Sequence, residues 1–165
     1  MKTVIFVRHA KSSWADPDLR DINRPLNKRG YRDAPFMGKL LAAKGIKADL
    51  LVSSPANRAY TTAKYFAEAL SIDPSKILEE RAIYEAYPDE VMEVIQNLPE
   101  KISTVLVFGH NPTFTSLANR FSEEYIPNVP TCGVFIVQTS IHKWADFQEG
   151  IDSETTFLYP KQYFT

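Results

Sequence analysis

Val4-Ile5-Phe6-Val7-Arg8-His9 is the stretch that decides the fold. Its first four residues are an unbroken apolar run rich in β-branched side chains, the pattern of a strand buried on both faces. The chain repeats that pattern in Asp49-Leu50-Leu51-Val52-Ser53 and in Thr104-Val105-Leu106-Val107-Phe108. Each run stops abruptly in polar chemistry: Arg8-His9 after the first, Ser53-Ser54-Pro55 at the end of the second, Gly109-His110-Asn111-Pro112 after the third.

Helical signals fall between these runs. Lys11 to Asn23 is polar and carries Pro17, so it reads as a loop. Asn27 is placed to cap a helix running through Ala34, Met37, Leu40 and Leu41 to Lys44, with Gly45 as its terminator and Pro35 as a potential kink. Ala56 to Leu70 reads as a second helix, with Pro55 suited to its first turn. Asp89 to Leu98 has apolar residues at helical spacing, and Pro112 to Phe121 reads as a fourth helix. Short strands are expected at 76–79, 132–138 and 155–159. Strands alternating with helices predict an α/β fold: one three-layer domain over residues 1–165, with a mostly parallel central sheet and helices on both faces. The aromatic tail from Tyr159 to Thr165 is expected either to pack or to form an interface.

Bulk properties set limits on function. The 165 residues are 44% apolar and 24% charged, ordinary for a globular protein. A net charge of -1 gives no reason to expect nucleic acid or an anionic membrane as partner, while leaving room for a local basic pocket. Cys132 is the only cysteine, which rules out an intrachain disulfide. No stretch approaches the roughly 20 apolar residues of a membrane helix, and the apolar run at residues 4–7 is too short for a signal sequence. The expected location is the cytoplasm.

In open α/β sheets ligands bind beyond the carboxyl ends of the strands. All three polar stops fall there, with Arg58 in the first turn of the helix that follows the second strand. Taken singly these motifs say little: a histidine after a strand is commonly a loop residue, and an arginine at a helix start is commonly surface charge. Together they supply what a phosphoryl group requires. Arg8 and Arg58 offer forked, charge-assisted donors, and the helix starts add free N–H groups. His9 is a nucleophile when neutral, and His110, if protonated, would stabilise charge on the transferring group. His142 lies far from these motifs and reads as a surface residue.

The segments Val7-Arg8-His9-Ala10-Lys11-Ser12-Ser13-Trp14, Ser53-Ser54-Pro55-Ala56-Asn57-Arg58-Ala59 and Phe108-Gly109-His110-Asn111-Pro112 resemble the histidine phosphatase superfamily, the phosphoglycerate-mutase-like fold. The Arg-His-Ala opening, Asp21-Ile22-Asn23-Arg24-Pro25-Leu26 and the short chain are similar to the small phosphohistidine phosphatases. The resemblance implies that His9 is the phosphoryl acceptor, that Arg8 and Arg58 grip the phosphoryl oxygens, and that His110 completes the pocket. It implies Glu85, in Ile83-Tyr84-Glu85, as proton donor, and no metal or other cofactor. Arg20, Arg24 and Arg29 are candidates for the rim, Arg24 foremost because Arg24-Pro25-Leu26 matches the family segment, and Ser12 is a further candidate contact. The implied substrate is a phosphorylated protein, phosphohistidine above all, or a small phosphorylated molecule. A mutase or phosphomonoesterase of the same fold, and a non-catalytic phospho-binding module, remain alternatives.

Overall fold

The computed structural model describes residues 1–164. Six strands form one sheet: β1 (Lys2–Arg8), β2 (Leu50–Ser53), β3 (Leu78–Glu79), β4 (Thr104–Gly109), β5 (Val134–Thr139) and β6 (Ser153–Leu158), in the order β3-β2-β4-β1-β5-β6. β1, β2, β3 and β4 run parallel, while β5 and β6 are antiparallel additions at one side. Parallel neighbours need crossovers, and the helices supply them. These are α1 (Lys28–Ala43), α2 (Asn57–Ala69), α3 (Pro88–Gln96) and α4 (Thr113–Phe121).

Strand alternation explains the three layers. Ile5 and Val7 of β1, with Leu106 and Phe108 of β4, face a core closed by Met37 and Leu41 of α1 and Phe66 of α2. Val4 and Phe6, with Val105 and Val107, face a second core closed by Val91 and Ile95 of α3 and Phe114 and Leu117 of α4. Each fully buried side chain of this size stabilises the fold by about 2 kcal/mol, which is why the apolar runs are unbroken. Helices therefore cover both faces, as the sequence predicts.

Boundaries differ in detail. Asn27 caps α1 by accepting from the Gly30 amide at 2.9 Å, Gly45 ends it at φ +81°, and the helix continues through Pro35 without a break. α2 starts at Asn57, one residue later than expected, so Pro55 lies ahead of the helix and not in its first turn. The strand expected at 76–79 is confined to the two residues of β3, after a 3-10 turn over Pro74–Lys76. β5 starts two residues later than expected, because Cys132 adopts a left-handed backbone at φ +59° and Gly133 turns the chain into the strand. The tail packs onto α1: Phe164 lies 4.7 Å from the Phe36 ring and beneath the Arg32 guanidinium. Thr165, its last residue, lies outside the described residues. Among the described residues no helix is long and apolar enough to cross a membrane.

Candidate active site

Strands β2, β4 and β1 are neighbours, and their carboxyl ends bring residues about 50 positions apart in sequence to one edge. Backbone bonds tie the exits together. The His9 amide donates to the Gly109 carbonyl and the Ser54 amide to the Phe108 carbonyl, both at 3.0 Å. The Cys132 amide donates to the carbonyls of Arg8 and His9, at 3.1 and 3.0 Å. Thr62 of α2 accepts from the Ala10 amide at 3.0 Å and donates to the Arg58 carbonyl at 2.7 Å. The turn carrying His9 is thus held from three sides.

Two glycines make these approaches feasible. A Cβ on Gly109 would lie 2.5 Å from the Phe114 ring, and one on Gly30 would lie 2.2 Å from the Lys11 carbonyl oxygen. Gly109 lets α4 close over the end of β4, and Gly30 lets the start of α1 lie against the turn after His9.

His9 is 8% exposed, and its Nδ1 lies 2.7 Å from the Ala10 carbonyl oxygen. A carbonyl only accepts, so Nδ1 carries the proton and Nε2 keeps its lone pair. Burial, helped by the nearby His110, Arg58 and Arg8, lowers its pKa to about 3 despite the Ala10 bond. The ring is neutral and oriented, with the Nε2 lone pair free. The His110 ring stands 5.2 Å from it, centroid to centroid, with Nε2 2.8 Å from the Ser54 hydroxyl. Burial, then the Arg58 charge, lowers the His110 pKa to about 4. Before an oxyanion arrives, the two guanidiniums beside it favour the neutral ring. Arg8 Nε and His110 Nδ1 are buried side-chain atoms without a protein partner. They stand at the carboxyl ends of the neighbouring strands β1 and β4, on the edge that carries His9.

Arg58 is 7% exposed and held by Asp21, its two terminal nitrogens meeting the Asp21 carbonyl at 2.8 Å and carboxylate at 3.0 Å. The same carboxylate accepts from the Tyr84 hydroxyl at 2.6 Å and from Arg24 at 3.1 Å. Burial alone would raise the Asp21 pKa, but the bonds from Tyr84, Arg58 and Arg24 and the Arg58 charge outweigh it and bring the value to about 2. Asp21 is therefore a fixed carboxylate that positions Arg58, a role its sequence context did not reveal. Its signal was its place at the head of the Asp21-to-Leu26 segment, which marked the residue but not its partners.

The remaining candidates separate. Arg24 is buried and engages all three of its guanidinium nitrogens with protein: the Ser13 carbonyl, Asp21 and the Ser12 hydroxyl. It also stacks on Trp14, with its guanidinium carbon 3.3 Å from the ring centre. Arg24 and Ser12 thus brace the wall of the pocket against each other. Glu85 is exposed, in a left-handed backbone at φ +56°, on the rim of a cavity of about 550 Å³ that His110 also lines. Thr113, at the start of α4, donates to the Ala86 carbonyl and so fixes the rim beside Glu85. Arg29 and Arg20 are exposed, and His142 is exposed beyond the end of β5, away from this edge. No group of three or more His, Cys, Asp or Glu side chains among the described residues is disposed to hold a metal ion.

Comparison with known proteins follows the same lines. The model of the histidine phosphatase superfamily (branch 1) matches residues 4–123. An uncharacterised protein of Mycobacterium tuberculosis is 32% identical over 94% of this chain and 100% of its own length. A solved structure from Agrobacterium tumefaciens, provisionally assigned as the phosphohistidine phosphatase SixA, superposes with a TM-score of 0.81 at 26% identity, covering 96% of this chain and 98% of its own. A phosphoglycerate mutase of Mesorhizobium japonicum is 30% identical over 51% of this chain and 42% of its own length.

Proposed function

We propose, from the premise that the chain belongs to the histidine phosphatase superfamily, that it is a phosphatase acting through a covalent phospho-His9 intermediate on protein phosphohistidine. The observation that carries the mechanism is the Nδ1–H bond from His9 to the Ala10 carbonyl, which leaves Nε2 as a neutral nucleophile between Arg8, Arg58 and His110. In the first step Nε2 attacks phosphorus in line, the P–N bond to His9 forms, and the bond to the leaving atom breaks. Glu85 gives its proton to that atom. Arg8, Arg58 and His110 stabilise the equatorial oxygens. In the second step water attacks the phosphoryl group, Glu85 takes the water's proton, and His9 leaves with its lone pair restored.

Two observations support phosphohistidine as substrate. Between β2 and β4 the chain builds only α2, a two-residue strand, short turns and α3, so little material covers the crevice and a phosphorylated side chain on another protein has access. An imidazole leaving group is protonated readily near neutrality and makes weaker demands on the acid than an alkoxide, which suits a site whose candidate acid stands exposed on the rim. The provisional SixA assignment of the Agrobacterium tumefaciens structure agrees with this substrate. The resemblance to phosphoglycerate mutase over half of the chain favours the second reading, a small-molecule phosphomonoesterase or mutase.

The test is a substrate panel on wild type, His9→Ala and Glu85→Gln. Wild type is expected to hydrolyse a phosphohistidine peptide in preference to sugar phosphates and to retain acid-labile phosphate on His9 after brief reaction. Preference for the esters refutes the substrate, and full hydrolysis by His9→Ala refutes the covalent mechanism.

A further inference from the structure

Arg8 also lines a second cavity, of about 410 Å³, which the reaction proposed above does not use. Among the described residues its walls bring together five cations, Arg8, Lys11, Arg29, Arg32 and Lys161, against one carboxylate, Asp33. In a chain of net charge -1 that is a strong local excess. Asp33 is 2% exposed and already committed: Arg32 lies 2.8 Å and Arg29 4.0 Å from its oxygens. Lys11 and Lys161 form no ion pair among the described residues. Pro130, Pro160 and Phe164 supply apolar surface between the charges. Among the described residues the cavity thus combines cations outside any ion pair, Lys11 and Lys161, with a surface on which an aliphatic stem can lie.

Its position relates it to the nucleophile. Lys11 follows His9 by two residues, so their Cα atoms are at most about 7 Å apart. A group bound in the cavity is therefore roughly one to three residues away from the phosphoryl group along an extended peptide, at about 3.3 Å per residue. We propose that this cavity receives an anionic group borne by the same substrate, namely an acidic side chain close in sequence to the phosphorylated residue. The inference rests on the reading of the substrate as a phosphoprotein. The alternative source of the same charge is a second phosphoryl group on a small molecule.

The experiment measures competition against hydrolysis of a small aryl phosphate, which reads binding whether or not the competitor is turned over. The competitors are a phosphohistidine peptide with flanking Asp and Glu, the same peptide with Asn and Gln in their place, and a small bisphosphate. Wild type is compared with the double variant Arg29→Gln, Lys161→Glu. Both of these side chains are exposed or half-exposed, and unchanged turnover of the aryl phosphate shows the double variant to be folded. The acidic peptide is expected to compete about tenfold better than the neutral one, as two or three exposed ion pairs would provide. The gap is expected to close in the double variant and to shrink with added salt. Equal competition by the two peptides, or a gap untouched by the substitutions, overturns the proposal. A bisphosphate that outcompetes the acidic peptide and loses most in the variant overturns the peptide as source. An acidic peptide that competes preferentially but is not hydrolysed upholds the cavity and refutes phosphohistidine as the substrate.

Discussion

His9 and His110 are two imidazoles in contact, and neither titrates near neutrality in the free protein. Burial is the main cause in both, with pKa values of about 3 and about 4. Protonation of His9 would remove the lone pair that attacks in the proposed mechanism, so the acid limb of kcat/KM that belongs to it is expected only near pH 3 to 4, and not near 6.5. An oxyanion between the arginines changes the balance for His110, since adjacent negative charge favours the imidazolium. NMR titration of the ring protons with and without saturating tungstate is expected to show the His110 pKa rise while His9 stays neutral. The same shifts set the pH dependence of stability. Both folded values lie below the unfolded 6.5, so the unfolded chain binds more protons below that pH. The stability contributed by the two neutral rings is complete above about pH 6.5 and is lost as pH falls through 4 and 3. Urea midpoints that held constant from pH 7.5 to 4.5 in the wild type would contradict these shifts.

At the scale of elements, the site depends on how closely the start of α1 approaches the turn after β1. A Cβ at residue 30 would meet the Lys11 carbonyl oxygen at 2.2 Å, a backbone atom, with no flexible side chain to yield. Gly30→Ala is expected to cost about 1–3 kcal/mol, the usual range for overpacking, and to lower kcat, because Lys11 is two residues from the nucleophile. Equilibrium urea unfolding checks the first effect: the midpoint falls with an unchanged slope. The three parallel strands that carry the site were legible because both faces of each are buried, which leaves an unbroken apolar run at residues 4–7, 50–52 and 105–108. Their polar ends were legible for the same reason, since chemistry begins where burial stops. Asp21 was not legible. Its function comes from Arg58 and Tyr84, 37 and 63 residues away, and no local pattern records a long-range pairing. Arg24 shows the same limit: its place in a motif marked the residue, but not that the fold surrounds it with Ser12, Ser13, Trp14 and Asp21.

For the molecule as a whole, the strand order makes the proposed phosphoryl pocket a junction between distant segments. Arg8 and His9 come from the end of β1, Arg58 from α2, and His110 from the end of β4, and these are joined in the sheet order β2-β4-β1. An oxyanion gripped by all of them is bound only by the assembled sheet edge, because the unfolded chain holds these residues apart. Binding must then raise stability by mass action, by about 2.7 kcal/mol when the ligand is at 100 times its Kd. For a chain of 165 residues that corresponds to a Tm increase of about 5–10 °C at roughly 2–4 °C per kcal/mol. Scanning calorimetry with and without tungstate is expected to show this rise in the wild type and little of it in Arg58→Ala at the same concentration. Arg58→Ala also loses the bonds to Asp21, so its own Tm is expected to be lower. The informative quantity is the ligand-induced difference within each protein. An equal rise in both proteins would place the anion elsewhere, in the basic cavity beyond Arg8 for example, and would separate Arg58 from phosphoryl binding.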